Sequence, residues 1–256
     1  MTFGPALIGR LVTIELIAAL LVFPVLFLVP APYGRYQRRG FGPSMNARLG
    51  WIVMEFPALA VPVWAFFNAG GAASCGGAAP LLLSLWVLHY AQRTFVFPLL
   101  MRGGTGRSPV LTVVLAIVFN CLNGIVNGTS LAWLGLDPAR CAAVPSRLIL
   151  GAAIFLAGWL INVQADQILR TLRAPGESGY KIPEGGAFRW VSAANYFGEL
   201  VEWTGFAIAA MTPAAWAFAA FTAANLVPRA WSHHRWYRAT FPDYPATRRA
   251  VIPLIF

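Results

Sequence analysis

From Asn162 the chain reads NVQADQILRTLRAPGESGYKIPEGGAFRWVSAANYFGELVE, ending at Glu202, and no other run of similar length carries as many ionisable and amide side chains. Taken in steps of three and four, Asn162, Asp166, Arg170 and Arg173 fall along one side of a helix. Asn195, Glu199 and Glu202 do the same after a break rich in Gly and Pro. The flanking residues are apolar and long enough to cross a bilayer, where such groups turn toward a partner or a water-filled cavity. Two polar stripes facing one another across a loop therefore predict a cavity with a polar ligand. The loop adds Arg173, Tyr180 and Lys181, donors suited to phosphate. The plainer reading is an ordinary solvated loop between two spans.

Other candidates lie outside this stretch. Glu55 sits about one turn inside an apolar run and is followed by Pro57 and Pro62, which loosen the backbone ladder around a buried acid. Tyr90 and Arg93 share a helix face beside His89, so Tyr90 is either a packing residue or a hydrogen-bond donor to a substrate oxygen. Near the C-terminus, His233, His234, Arg235 and Tyr237 suit anion or cofactor contacts, or an interfacial basic and aromatic belt. Adjacent histidines without an H-E-x-x-H pattern or an acidic pair do not read as a metal site. Glu15, alone in the first apolar run, reads as a residue paired within the bundle, with a proton site as the alternative.

What must position these groups is a membrane bundle. Of 256 residues, 58% are hydrophobic and 11% charged, and the mean hydropathy is +0.64, which excludes an ordinary soluble domain. Seven apolar runs are close to the ~20 residues a membrane helix needs: 7–29, 49–67, 80–101, 110–134, 148–169, 192–211 and 214–231. They are continuous and do not alternate, which argues against a transmembrane β-barrel. The predicted fold is an all-α integral membrane bundle of seven helices. In the fourth run, Asn120, Asn123 and Asn127 accompany Gly124 and Gly128 in a G-x-x-x-G, a pattern for close helix packing.

The net charge of +10 is distributed by loop and forms no single basic patch, so nucleic acid is not the expected partner. Arg35, Arg38, Arg39 and Arg48 lie in the first loop, Arg102 and Arg107 in the third, and Arg173, Lys181 and Arg189 in the fifth. The tail carries Arg229, Arg235, Arg238, Arg248 and Arg249, whereas the second and sixth loops have no basic residue and the fourth only Arg140, with Arg147 at its border. The positive-inside rule then places the N-terminus outside and the C-terminus in the cytoplasm. The first run has its positive charges on the C-terminal side and no A-x-A site, and reads as a retained helix. Cys75 and Cys141 fall in outside loops where a disulfide is conceivable, and Cys121 reads as a small core residue. The glycine-rich RGGTGR run, 102–107, follows a membrane helix and is neither a P-loop nor a Rossmann fingerprint.

Five segments in order, NARLGWIVMEFPAL, LHYAQRTFVFPLL, INVQADQILRTLRAPGESGYKIPEGGAF, VSAANYFGELVEW and HHRWYRATFPDYPATRRAVIPLIF, make the chain resemble the steroid 5α-reductase family. The likeness runs from about Tyr33 to Phe256. It implies one membrane domain, with 1–134 on the substrate side and 135–256 on the NADPH side, in the inner membrane of a bacterium with the NADPH site facing the cytoplasm. It implies reduction of the Δ4 double bond of a 3-oxo-Δ4 steroid, a lipophilic substrate, with hydride transfer from NADPH to C5 and no obligatory oligomer. Glu55 and Tyr90 would hold the 3-keto oxygen. Tyr33, Asn162, Asp166, Arg173, Tyr180, Asn195, Glu199, Arg229, His233 and Tyr237 would surround NADPH. One departure is Met54, where vertebrate steroid enzymes have Gln, which bears on substrate and inhibitor preference. The competing readings are reduction of a polyprenal or enoyl thioester, an isoprenylcysteine-type methyltransferase, and a small transporter. The last should show internal repeats and a polar path to both sides, and the chain has neither.

The loop charges give a topological prediction: a tag at the C-terminus lies in the cytoplasm and a tag at Gly70 lies outside. Alkaline phosphatase activity from a C-terminal fusion would contradict it.

Overall fold

Each apolar run closes its backbone hydrogen bonds within itself, the condition for a chain segment in lipid. A computed structural model describes residues 3–29, 42–102, 106–137, 146–174, 177 and 179–256. The long helices are α1 (Pro5–Leu28), α2 (Ala47–Asn68), α3 (Ala78–Ala91), α4 (Val110–Leu136), α5 (Ser146–Thr171), α6 (Ala194–Ala210) and α7 (Pro213–Thr240). Helix α3 continues through a π-helical turn at Gln92–Val96 into a last α turn at Phe97–Leu100. These elements match the seven predicted runs, with α7 extending nine residues beyond its expected end. Four of them, α1, α2, α4 and α5, are each long and apolar enough by themselves to cross a membrane. Leu20, Leu21 and Leu28 of α1 and Ile149, Leu150 and Leu160 of α5 are exposed, as lipid-facing residues are.

The all-α expectation has one small exception. Strand β1 (Ser44–Asn46) pairs antiparallel with β2 (Arg107–Pro109), directly before α2 and α4. Arg107 braces the ribbon by donating to Ser44 Oγ at 2.7 Å, so this guanidinium of the glycine-rich loop has a structural task. Among the cysteines, Cys75 is disulfide-bonded and Cys121 is a free thiol; Cys141 lies outside the described residues.

Helix α1 packs on α7 and α4, α2 on α4 and α3, α5 on α6, and α6 on α7. Two glycine seams set the closest approaches. In the first, a Cβ on Gly124 would come within 2.9 Å of the Pro62 ring, and one on Gly128 within 2.3 Å of Pro62 O. The G-x-x-x-G is thus a packing device between α4 and α2. In the second, a Cβ on Gly158 would lie 2.3 Å from Glu202 N, and one on Gly198 2.4 Å from Asn162 N. Gly151 and Gly205 repeat the contact two turns away, against Ala209 N at 2.5 Å and Phe155 N at 2.4 Å. Backbone meets backbone along α5 and α6, as small residues permit in membrane bundles.

The prolines leave carbonyls that neighbouring helices use. Pro62 has no N–H for Ala58 O, and the Trp86 indole of α3 donates to that oxygen at 2.8 Å. In the π turn the i+5 partner of Arg93 O would be Pro98, which also lacks an N–H. The Trp51 indole of α2 donates to it at 3.0 Å. Asn120 of α4 reaches Met54 O at 2.6 Å. Trp86, Trp203, Phe155, Phe206 and Phe218 then form an aromatic centre shared by α3, α5, α6 and α7.

Because the α5–α6 seam leaves no volume for a side chain, Gly158→Leu or Gly198→Val should lower stability by at least about 1–3 kcal/mol through overpacking. Thermal unfolding of the purified variants measures this. Native-like melting temperatures for both would show that the helices can separate without cost.

Candidate active site

The seam between α5 and α6 presses the two polar stripes together. Asn162 Nδ2 donates to Asn195 O at 2.9 Å and to Glu199 Oε2 at 3.5 Å. Asn195 Nδ2 donates in return to Asp166 Oδ1 at 3.1 Å. Asn162 and Asp166 are buried, and Asn195 and Glu199 half-buried. The Oδ1 atom of Asn162 is buried and has no hydrogen-bond partner among the described residues.

The stripes differ from their sequence description at the ends. Helix α5 stops at Thr171, so Arg173 lies beyond it on an exposed turn, where it donates to Gly179 O at 3.1 Å. Arg170 turns to Gln167 on its own helix. Glu202 leaves its expected stripe because it is one turn past Glu199 and rotated toward α3. There its Oε1 lies 2.7 Å from His89 Nδ1, fully buried, while Oε2 has no hydrogen-bond partner among the described residues.

Helix α3 joins this network through Arg93, a partner that the pattern of stripes did not reveal. Its guanidinium forms an ion pair with Asp166 Oδ2 at 3.0 Å. The same group lies 4.8 Å from the Trp51 ring centroid and 4.6 Å from that of Phe97, which sheathes the cation in aromatic faces. Trp51 is one turn before Glu55 on α2, so Glu55 comes within electrostatic reach of Arg93 and Glu199. Tyr90, one turn before Arg93, is buried and within electrostatic reach of Glu55, Glu199 and Glu202. Its ring is packed by Trp86 at 5.3 Å and His89 at 4.8 Å. Glu55, Tyr90 and Arg93 therefore adjoin the polar stripes, on the far side of Asp166.

On the opposite side of α6, Tyr196 collects two of the expected residues. Arg229 donates to Tyr196 Oη at 2.7 Å and lies over its ring at 5.0 Å, and His233 Nε2 is 3.5 Å from the same hydroxyl. Tyr180 is exposed and meets Trp236 edge-on at 4.9 Å. Tyr237 is buried and stacks on Tyr244 at 5.3 Å. Beside Tyr180, Glu177 accepts from the Lys181 ammonium, whose hydrogen bond holds its carboxyl below the usual range, and from Ala174 N. Arg102 of the third loop donates to Arg173 O at 3.4 Å and so ties two basic loops together. Tyr33 lies outside the described residues.

The tail is structural to a degree that its basic composition did not suggest. Residues 190–193 pair with 249–250: Ser192 N donates to Arg249 O at 2.8 Å and Ala193 N to Ala250 O at 3.1 Å. Ser192 Oγ also lies 2.6 Å from both His234 Nδ1 and Tyr244 Oη, and buried Arg248 donates to Pro183 O at 2.9 Å. His234 thus secures the chain just before α6. Among the described residues no group of three metal-type ligands converges.

Comparison with known proteins assigns this arrangement to a family. The family model described as 3-oxo-5-alpha-steroid 4-dehydrogenase matches residues 106–256. The chain is 42% identical over 251 residues to 3-oxo-5-alpha-steroid 4-dehydrogenase 1 of Bos taurus, covering 97% of each. It is 41% identical to 3-oxo-5-alpha-steroid 4-dehydrogenase 2 of Sus scrofa and 37% identical to the steroid 5-alpha-reductase DET2 of Gossypium hirsutum, each over 244 residues and 94% of both chains. This chain accordingly belongs to the 3-oxo-5α-steroid 4-dehydrogenase, or steroid 5α-reductase, family and is an enzyme of that oxidoreductase class.

Proposed function

We propose that the protein reduces the Δ4 double bond of 3-oxo-Δ4 steroids with NADPH, giving 5α-3-oxosteroids. The observation that carries this reading is the juxtaposition of Tyr90 and Glu55 with the Arg93–Asp166 pair and the amide cluster behind it. The seven helices act as seven spans, with the N-terminus outside and the cofactor end in the cytoplasm. Residues 1–134 then serve mainly the substrate and 135–256 mainly the cofactor, with Arg93 linking the two.

The donor set suits a dinucleotide. The unpartnered Oδ1 of Asn162 can accept from an amide or hydroxyl. Asp166, Asn195 and Glu199 offer further polar atoms in the same buried cluster. Arg173 and Tyr180 on the exposed loop, with Arg229 and His233 on α7, supply cations and an aromatic face toward phosphate and base, and Tyr237, buried against Tyr244, backs them from the same helix. Tyr33 completes the set in this proposal. When bound, NADPH would supply the hydride that adds at the enone β-carbon, C5 of the steroid, and a proton taken up at the α-carbon, C4, completes the reduction.

The protein groups act on the other end of the enone. As the β-carbon is reduced, negative charge develops on the 3-keto oxygen, so a donor there stabilises the transition state more than the ground state. The Tyr90 hydroxyl is that donor. Glu55 orients it or donates in its own acid form. Arg93 places positive charge near the developing enolate. The aromatic centre around Trp86 and Trp203 excludes water, which strengthens each of these interactions.

Tyr90→Phe keeps the ring and removes the donor, so kcat should fall about 10²- to 10³-fold while NADPH affinity stays unchanged. Glu55→Gln should retain partial activity if the acid donates directly, and should lose as much as Tyr90→Phe if the carboxyl is needed. If the two act as a unit, the double variant is little worse than the weaker single one. Native rates from both Tyr90→Phe and Glu55→Ala would contradict the assignment. In cofactor choice, NADPH should bind much more tightly than NADH, and Arg173→Ala should weaken NADPH binding with the fold retained. Equal affinity of the native protein for both nucleotides would overturn that part.

A further inference from the structure

Helix α1 buries one narrow seam, Ile8, Val12, Glu15 and Ala19, and the acid among them is unexpected. Glu15 is 1% exposed, and neither carboxyl oxygen has a hydrogen-bond partner among the described residues. The pairing within the bundle expected from the sequence is absent among the described residues. A buried carboxyl without a partner is strongly unfavourable unless something else completes it. The reaction described above does not use it.

Its position follows from its neighbours. Ile8 and Val12 cluster with Val126 and Leu122 of α4 and with Ala214 and Ala217 of α7. One turn further along α7 is Phe221, and one turn back along α4 from Leu122 is Phe119. These two rings stack at 3.8 Å. Phe119 in turn neighbours Phe218 at 6.4 Å, Phe218 neighbours Trp86 at 5.1 Å, and Trp86 neighbours Tyr90 at 5.3 Å. A row of rings thus runs from Tyr90 to Phe221, one turn along α7 from the Ala217 that packs on the α1 seam holding Glu15. A cavity of about 440 Å³ at the outer end of the same seam, lined by Ile8, Val12, Trp133 and Thr212, does not include Glu15 and leaves its carboxyl unexplained.

We propose that Glu15 is the far anchor of the substrate: it hydrogen-bonds a hydroxyl at the end of a flat lipophilic enone remote from the carbonyl held by Tyr90. A hydroxyl both donates and accepts, so it satisfies a carboxyl in either protonation state. In this proposal the fused-ring body of such a molecule lies against the apolar side chains between the two anchors. This inference rests on the function proposed above, and it adds that hydroxylated substrates are preferred.

The test uses full-length protein and two 3-oxo-Δ4 steroids that differ only in a hydroxyl on the ring farthest from the enone. Native protein should favour the hydroxylated one by about tenfold in kcat/KM, the scale of one hydrogen bond, and should show the larger thermal shift with it in the absence of cofactor. Glu15→Leu should abolish both differences through KM, leave NADPH affinity unchanged, and raise the melting temperature of the ligand-free protein. Glu15→Gln should keep most of the preference. Equal preference in native protein, an unchanged preference in Glu15→Leu, or unfolding of Glu15→Leu would each overturn the anchor. Reduction of neither steroid by native protein would instead count against the proposed function itself.

Discussion

The contact on which the site depends is glycine against backbone, between α5 and α6. Gly151, Gly158, Gly198 and Gly205 let the two helices meet with no side chain between them. Only at that separation can the short side chains of Asn162, Asp166 and Asn195 bond across the interface. In lipid, where apolar surface gives helices little reason to associate, such packing and interhelical hydrogen bonds are the main forces available. Here both arise from one alternation of small and polar residues: the glycines set the distance, and the amides one turn away exploit it.

The second half of the site is attached by a different device. Prolines on α2 and α3 strip backbone carbonyls of their partners, and the indoles of Trp86 and Trp51 satisfy them from the opposite helix. This couples α2 to α3 at the level of Glu55, Tyr90 and Arg93. The π turn re-aims the end of α3 as it passes this point, a distortion often found near functional groups. The Arg93–Asp166 ion pair then joins the two devices, so that residues 73 positions apart share one electrostatic environment. Conserving volume alone would not preserve it; Arg93→Met would keep the bulk but leave Asp166 buried without its cation.

The sequence was most legible where the signal is local. Continuous apolar runs gave the helices within a few residues, apart from the nine-residue extension of α7, because hydrocarbon length and backbone satisfaction leave few alternatives. The i, i+4 spacing of Asn162 and Asp166, and of Asn195 and Glu199, gave the central cluster for the same reason. What stayed hidden depends on which helices meet. Nothing near Arg93 names Asp166, nothing near Glu202 names His89, and the pairing of 190–193 with 249–250 joins segments far apart in the chain. Arg248 entered the sequence reading only as a loop charge, because composition does not distinguish an exposed arginine from one buried against Pro183 O. A signal for the tail was present in its buried Ser192, His234 and Tyr244, but only the fold brings these three together.

The central claim is that a conjugated enone is reduced by hydride delivered at one end while the protein holds the oxygen at the other. It is tested most directly by supplying NADPH deuterated in its transferable C4 position together with a 3-oxo-Δ4 steroid. Mass spectrometry and NMR of the product then locate the label. The account predicts a 5α-3-oxosteroid carrying the deuterium at C5. Product without label, label at the carbonyl carbon, or no transfer from NADPH to any such enone would contradict it.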